Sequence, residues 1–393
     1  MLSKEVSQKY FQNALTSIHK KRINCLFETS WALTKSSNLT VTSLGKKREG
    51  KAYVKHKIKS VDRQLSNEAL HAEIPTIYKE FYHPLLIGLS VIYVIVDWSG
   101  CCQKDFHMLR ASMTHDGRSI SIYNEIHPQE KVGNDVVHKK FLAHLKRLIP
   151  STSRVVVMTD AGFLMPWFKA VKNVGWDYIG RLRVGIKYQL VGKDTWESAT
   201  DLNKRATSTI KSIGQAYIGK KTNKPILGNI YTYKNKPKKR KDQSRFPDTN
   251  KQYALANKRA WVLATSLPER MHEGQAVINN YRKRMQIEQN FRDEKSPRFG
   301  LGWRMGRCEN PKRLAILCLI SNIALFFLKI LGMLAEQLGL HKRFQVNTVS
   351  NRRVLSHINL GMQIIMNNPP PELMKLFFEW LAGIERSYRQ LTL

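Results

Sequence analysis

Acidic side chains are scarce in this chain. Its 393 residues hold 30 Asp and Glu against 65 Lys and Arg, a formal charge of +35 at neutral pH. Such a surplus calls for a polyanionic partner, nucleic acid first and an anionic membrane surface second. Cysteine is sparse as well. Cys25, Cys101, Cys102, Cys308 and Cys318 include no C-x-x-C pair, and the twelve histidines are scattered. Zinc-ligand spacing is therefore missing and no disulfide framework is needed, which fits a reducing cytosol. There is no G-x-x-x-x-G-K-[ST] loop, so no ATP is implied. The opening residues, MLSKEVSQKYFQNALTS, lack the long apolar stretch of a secretory signal. One long apolar run does occur, LAILCLISNIALFFLKILGML at 314–334, but its uncharged part stops at Lys329 and contains Ser321 and Asn322. A bilayer span needs roughly 18 or more apolar residues. The expectation is a buried core helix in a cytoplasmic protein with no membrane partner.

Apolar residues make up 42% of the chain, and its length suffices for two or three domains with a sizeable core. Residues 1–80 are polar, basic and helical in pattern: a small DNA-binding helical domain, or simply a solubilising basic arm. The character then changes. LLIGLSVIYVIVDWSG ends in an Ile- and Val-rich run typical of a buried strand and is expected to stop at Asp97. LRASMTHDGRSISIYNEI reads as two strands turning at Asp116-Gly117. DVVHKKFLAHLKRLI is an amphipathic helix, SRVVVMTDAGF a buried strand ending at Asp160, LMPWFKAVKNVG a helix with Pro166 in its first turn, and WDYIGRLRVG a fifth strand.

Three strands, helix, strand, helix, strand make an α/β mixed sheet, the element order of an RNase H-like fold. Residues 81–184 form its first part. Residues 185–258 break the rhythm and read as a β-rich insertion with a basic loop, KNKPKKRKDQSR at 234–245, either solvated or set against DNA phosphates. The core resumes over 259–309 with the strand RAWVLATSLP. A long helix from about Met271 to Lys295 follows, ended by Pro297. Residues 310–393 look helical, with a loop at 367–372.

Asp97 and Asp160 each follow an apolar strand. Acids at the carboxyl ends of strands face the functional crevice of α/β sheets, although TDAGF also suits a turn or helix cap. On a continuous helix, Tyr281, Arg284, Glu288 and Lys295 fall within a strip about 60° wide, flanked by Met285. A solvated face with an Arg284–Glu288 ion pair explains that strip equally well. Three acids together are more specific. Phosphodiester chemistry needs clustered carboxylate oxygens to hold Mg²⁺ or Mn²⁺, and two such ions can serve both the attacking and the leaving oxygen.

YRKRMQIEQNFRDEK matches the Y-x2-R-x3-E-x6-K signature through Tyr281, Arg284, Glu288 and Lys295. The chain thereby resembles the bacterial insertion-sequence transposases named after insertion sequence four, in the branch containing the tetracycline-resistance transposon's transposase. VIVDWS, VMTDAGF and WVLATSLP resemble the family's other blocks in the right order. The resemblance implies a DDE transposase with an RNase H-like core and a β-rich insertion before the catalytic Glu. It implies a triad of Asp97, Asp160 and Glu288 holding two Mg²⁺ or Mn²⁺ ions. Tyr281, Arg284 and Lys295 would grip the DNA backbone. Trp261 would stack on a flipped base, unless it is ordinary core packing, and Met285 would probe the vacated space, unless it is a gap filler. It further implies cut-and-paste transposition through a hairpin intermediate, with double-stranded transposon ends and target DNA as partners and a homodimer in the synaptic complex; residues 1–80 would be the DNA-end-binding region and the helices of 310–393 candidate dimer or end contacts. The alternatives are an RNase H-fold nuclease without strand transfer and a non-catalytic basic DNA-binding protein.

Overall fold

In the computed structural model, the described residues are 15–36, 38–101, 105–219, 225–235, 260–268, 271, 273–349 and 351–383. Most of the expected basic loop, from residue 236 onward, lies outside them. Among the described residues four helices come first: α1 Lys20–Thr34, α2 Val41–Lys47, α3 Val54–Leu65 and α4 Glu68–Leu86. Side-chain caps from Thr40 to the Ser43 amide and from Asn67 to the Leu70 amide fix the starts of α2 and α4. Gly45 allows α2 and α3 to cross closely, since a Cβ there would lie 2.6 Å from Ile58.

The sheet begins with β1 Val91–Gly100, β2 Phe106–Met113 and β3 Ile120–Pro128, an antiparallel meander. The β2–β3 turn passes through Gly117 at φ +64°, a conformation that favours glycine. Helix α5 Asp135–Leu148, strand β4 Arg154–Thr159, helix α6 Met165–Asn173 and strand β5 Asp177–Arg181 follow, with β4 parallel to both β1 and β5. The insertion does not form a separate layer. Its strands β6 Lys187–Leu190, β7 Glu197–Ser198, β8 Lys211–Ile218 and β9 Ile226–Tyr233, with helix α7 Ala199–Arg205, extend the same sheet, and β10 Trp261–Thr265 joins them to β5. The strand order is β3-β2-β1-β4-β5-β10-β9-β8-β6-β7. This mixed α/β architecture is compatible with the RNase H-like arrangement expected.

Two expectations need correction. Strand β1 does not stop at Asp97 but runs to Gly100, because the meander partner β2 continues the ladder through Asp97↔Arg110 to Gly100↔His107. The long helix is also broken into α8 Gly274–Arg282 and α9 Met285–Lys295. Between them the amides of Lys283, Arg284, Gln286 and Ile287 bond three residues back, to Asn280, Tyr281, Lys283 and Arg284. Backbone angles at Lys283 and Arg284 stay helical, so the break is a tightened 3₁₀ turn, which side-chain periodicity does not register. Helix α9 ends at Ser296, just before Pro297, as expected.

The apolar run becomes the central helix α10, Pro311–Gln337, which is long and apolar enough for a membrane span yet mostly buried inside the fold. It packs on β3, α1 and α4, and on α11 His357–Met366 and α12 Pro371–Ala382. At Gly332 a Cβ would lie 1.9 Å from the His357 carbonyl oxygen, and at Gly361 2.1 Å from that of Leu328. These two glycines set how closely α10 and α11 approach.

Candidate active site

Register brings the first two acids together. Strands β1 and β4 run parallel with Ile95 opposite Met158. Two residues further along, Asp97 lies on β1 and Asp160 sits one residue beyond the end of its neighbour β4, at the equivalent level. Side chains alternate across a strand, so Tyr93, Asp97 and Ser99 share one face of β1. Helices α8 and α9 lie along that face. The Asn280 amide donates to the Tyr93 hydroxyl at 3.1 Å, Arg284 reaches Asp97 Oδ2 at 3.4 Å, and Lys295 Nζ donates to Ser99 Oγ at 2.6 Å and to the Gly100 carbonyl. Glu288 is thereby carried to the same end of the sheet.

The guanidinium of Arg284 sits between two acids, with Nη2 2.6 Å from Glu288 Oε1 and Nη1 on Asp97. Burial works against its charge, but the influence of Tyr281, Asp97 and Glu288 holds its pKa above the ordinary value. Burial also pushes the Asp97 carboxyl up to about 7, helped by the negative charges of Asp160 and Glu288; Arg284 and the bond from the Trp98 amide at 2.9 Å oppose that rise. All three acids therefore share one electrostatic field. Asp160 Oδ1 accepts from the Gly162 amide at 2.8 Å, so it also holds the local turn. It does not cap α6, which starts at Met165 without a side-chain cap.

Tyr281 is 3% exposed, and its hydroxyl is pushed up to about 12, by burial first. Its ring meets that of Trp261 edge-on, centroids 5.1 Å apart, and Trp261 also contacts Tyr233 at 5.9 Å. Met285 is 45% exposed, and its sulfur lies 3.2 Å from Arg284 Nη2. The structure thus gathers the expected site residues at one end of the sheet. Lys295 is turned inward onto β1.

Sequence reasoning missed what holds α9 in place. Arg110 and Glu294 form an ion pair at 2.7 Å with both side chains fully buried. Arg110 also donates to Asn124 at 2.6 Å and to Asn290, while Ser321 on α10 donates to Glu294. The signal was present: an arginine inside the apolar strand MLRASM requires a buried partner.

Three carboxylates form an all-oxygen donor set, the chemistry hard divalent cations require. Their mutual repulsion at Asp97 marks a place where a cation is favoured, and Arg284 now supplies one. Among the described residues no three His, Cys, Asp or Glu side chains stand as a ready cage for an ion. The donor chemistry fits a divalent ion, provided Arg284 yields its place.

A family model for the transposase DDE domain matches residues 96–327, well over half of the chain. The chain belongs to that family, whose members generally use divalent metal ions and act on DNA as transposases. No curated protein matches the chain.

Proposed function

We propose that this protein is a cut-and-paste DNA transposase of the Y-R-E-K signature group, the insertion sequence four family, in the branch of the tetracycline-resistance transposon's transposase. The approach of Asp97 and Glu288 to one arginine, with the charge of Asp160 acting on Asp97, is the observation that carries the reading. The +35 charge supports it, because an acidic centre repels DNA unless the surrounding surface attracts it.

In this reading Asp97, Asp160 and Glu288 would hold two Mg²⁺ or Mn²⁺ ions. Bound there, the ions supply charge for the attacking and leaving oxygens of an in-line displacement. Arg284 leaves the acids, Lys295 leaves Ser99 and Gly100 of β1, and with Tyr281 they take the DNA backbone beside the scissile phosphate. Trp261 stacks on an unpaired base, and Met285 fills the space that base leaves. Water attacks one strand at the element's end and releases a 3′-OH. That hydroxyl attacks the opposite strand to close a hairpin, a second water opens it, and the 3′-OH then joins target DNA. Residues 1–80 bind the double-stranded ends, and the helices of 310–393 contribute to a homodimer that pairs two ends.

The test uses DNA that flanks the protein's own coding sequence. Wild-type protein with Mg²⁺ is expected to cleave it and to join the released 3′-OH to a plasmid. Asp97→Ala abolishes both steps while DNA binding stays within a few-fold. Cleavage at the wild-type rate by Asp97→Ala overturns the proposal. Cleavage without joining reduces the protein to a nuclease.

A further inference from the structure

The far end of the sheet carries a second concavity. Strands β6, β8 and β9 with helix α7 enclose a cleft of about 320 Å³. That volume is at the lower end of small-molecule sites, about 300–1,000 Å³. Its walls divide by chemistry. Its accessible apolar lining is Leu190 and Ile213, both partly exposed, over the buried Tyr188 and Leu202. Lys193, Arg205 and Lys211, all exposed, stand at the rim. Glu197 also lines the cleft, but its carboxylate already accepts from the Tyr188 hydroxyl at 2.8 Å. Thr232, another wall residue, lies opposite Lys211 in the β8–β9 ladder, so both project from one face of the sheet. Tyr233, which contacts Trp261, projects from the other. The cleft is therefore separate from the site at Asp97.

We infer that this cleft is a nucleotide-binding pocket. Its three cations take the phosphate, and its apolar wall takes the base and sugar. A phosphate group needs several cationic donors, and a base needs an apolar surface; both kinds of residue line this one cleft. The same chemistry is offered by a nucleotide unit of a DNA single strand and by a free nucleoside triphosphate. This assignment goes beyond the transposase reading and requires no catalysis.

The test is photo-crosslinking of full-length protein carrying Asp97→Asn, in EDTA, followed by peptide mapping. One arm uses a hexanucleotide containing 5-iododeoxyuridine, the other 8-azidoadenosine triphosphate. At least one probe is expected to crosslink within residues 187–213. The triple change Lys193→Glu, Arg205→Glu, Lys211→Glu is expected to lower that yield at least tenfold. The control change Lys187→Glu, Lys204→Glu, Lys234→Glu alters exposed cations of the same insertion, and is expected to lower it less than threefold. Which arm succeeds identifies the source of the nucleotide. No crosslink in that segment from either probe overturns the inference, and so does equal loss in both triple variants, which would mean bulk charge alone. Failure of DNA cleavage by the wild-type protein would leave this result standing.

Discussion

Arg110 Nη2 lies 2.7 Å from Glu294 Oε2, and neither side chain reaches solvent. This pair joins β2 to α9, the helix that carries Glu288. Removing one partner leaves a buried charge uncompensated, at a cost of about 3–5 kcal/mol. Arg110→Met is expected to lose that much stability in urea denaturation. The double variant Arg110→Met, Glu294→Leu is expected to recover most of it, because two apolar groups restore packing without a stranded charge. A double variant no more stable than Arg110→Met would show that the pair is not what couples the two elements.

Arg284 presents a different case, since its partners are the proposed metal ligands. With DNA absent, its guanidinium competes for the same oxygens as a divalent ion. Arg284→Gln is expected to tighten Mn²⁺ binding to the free protein several-fold by calorimetry, and to slow DNA cleavage at least tenfold through the lost phosphate contact. Weaker Mn²⁺ binding in this variant would mean that Arg284 organises the acids rather than occupying their site.

Lys329 gives the fold a pH dependence away from that site. It is 1% exposed on α10 and donates to the Arg118 carbonyl. Burial pulls its pKa down to about 7 from an ordinary 10.5, with Asp116 and Asp293 opposing the fall and Arg118 and Arg353 assisting it. Between those two values the unfolded chain keeps a proton that the folded one has released. Stability therefore rises with pH from about 7 toward 10.5 and is least below 7, with a slope of roughly 1 kcal/mol per pH unit. Buried Cys318, whose thiol is pushed up by burial, works in the opposite direction above pH 9. The window is thus pH 7 to 8.5, read as the difference between wild type and Lys329→Met, because Asp97, pushed up to about 7, opposes the rise equally in both. Chemical denaturation across it is expected to show the rise in wild type and a flatter profile in Lys329→Met; identical slopes would contradict the assignment.

How much of this was legible in sequence depends on the kind of contact. Strands β1 and β4 carry continuous apolar runs and announce themselves, as does Pro166 in the first turn of α6. The sequence placed Asp97 and Asp160 each after such a run, but their equal level came only with the parallel pairing of β1 and β4. The extension of β1 to Gly100 was not legible, because it depends on pairing with β2 across a turn. The 3₁₀ turn at Lys283–Arg284 was hidden because its residues keep helical backbone angles. The continuation of the insertion into the main sheet was equally hidden, since short strands of mixed polarity do not declare their neighbours. The pairing of Arg110 with Glu294 spans 184 positions; the sequence showed that Arg110 needed a partner but not which one.

The account stands on Asp97, Asp160 and Glu288 serving one divalent-ion site when DNA is bound. Replacing Mg²⁺ by Fe²⁺ with ascorbate in the complex with flanking DNA, and mapping where the polypeptide is cut, tests this directly. Scission is expected near residues 97, 160 and 288 together, and is expected to vanish at all three in Asp97→Asn. Scission confined to one of the three, or unchanged in Asp97→Asn, would contradict it.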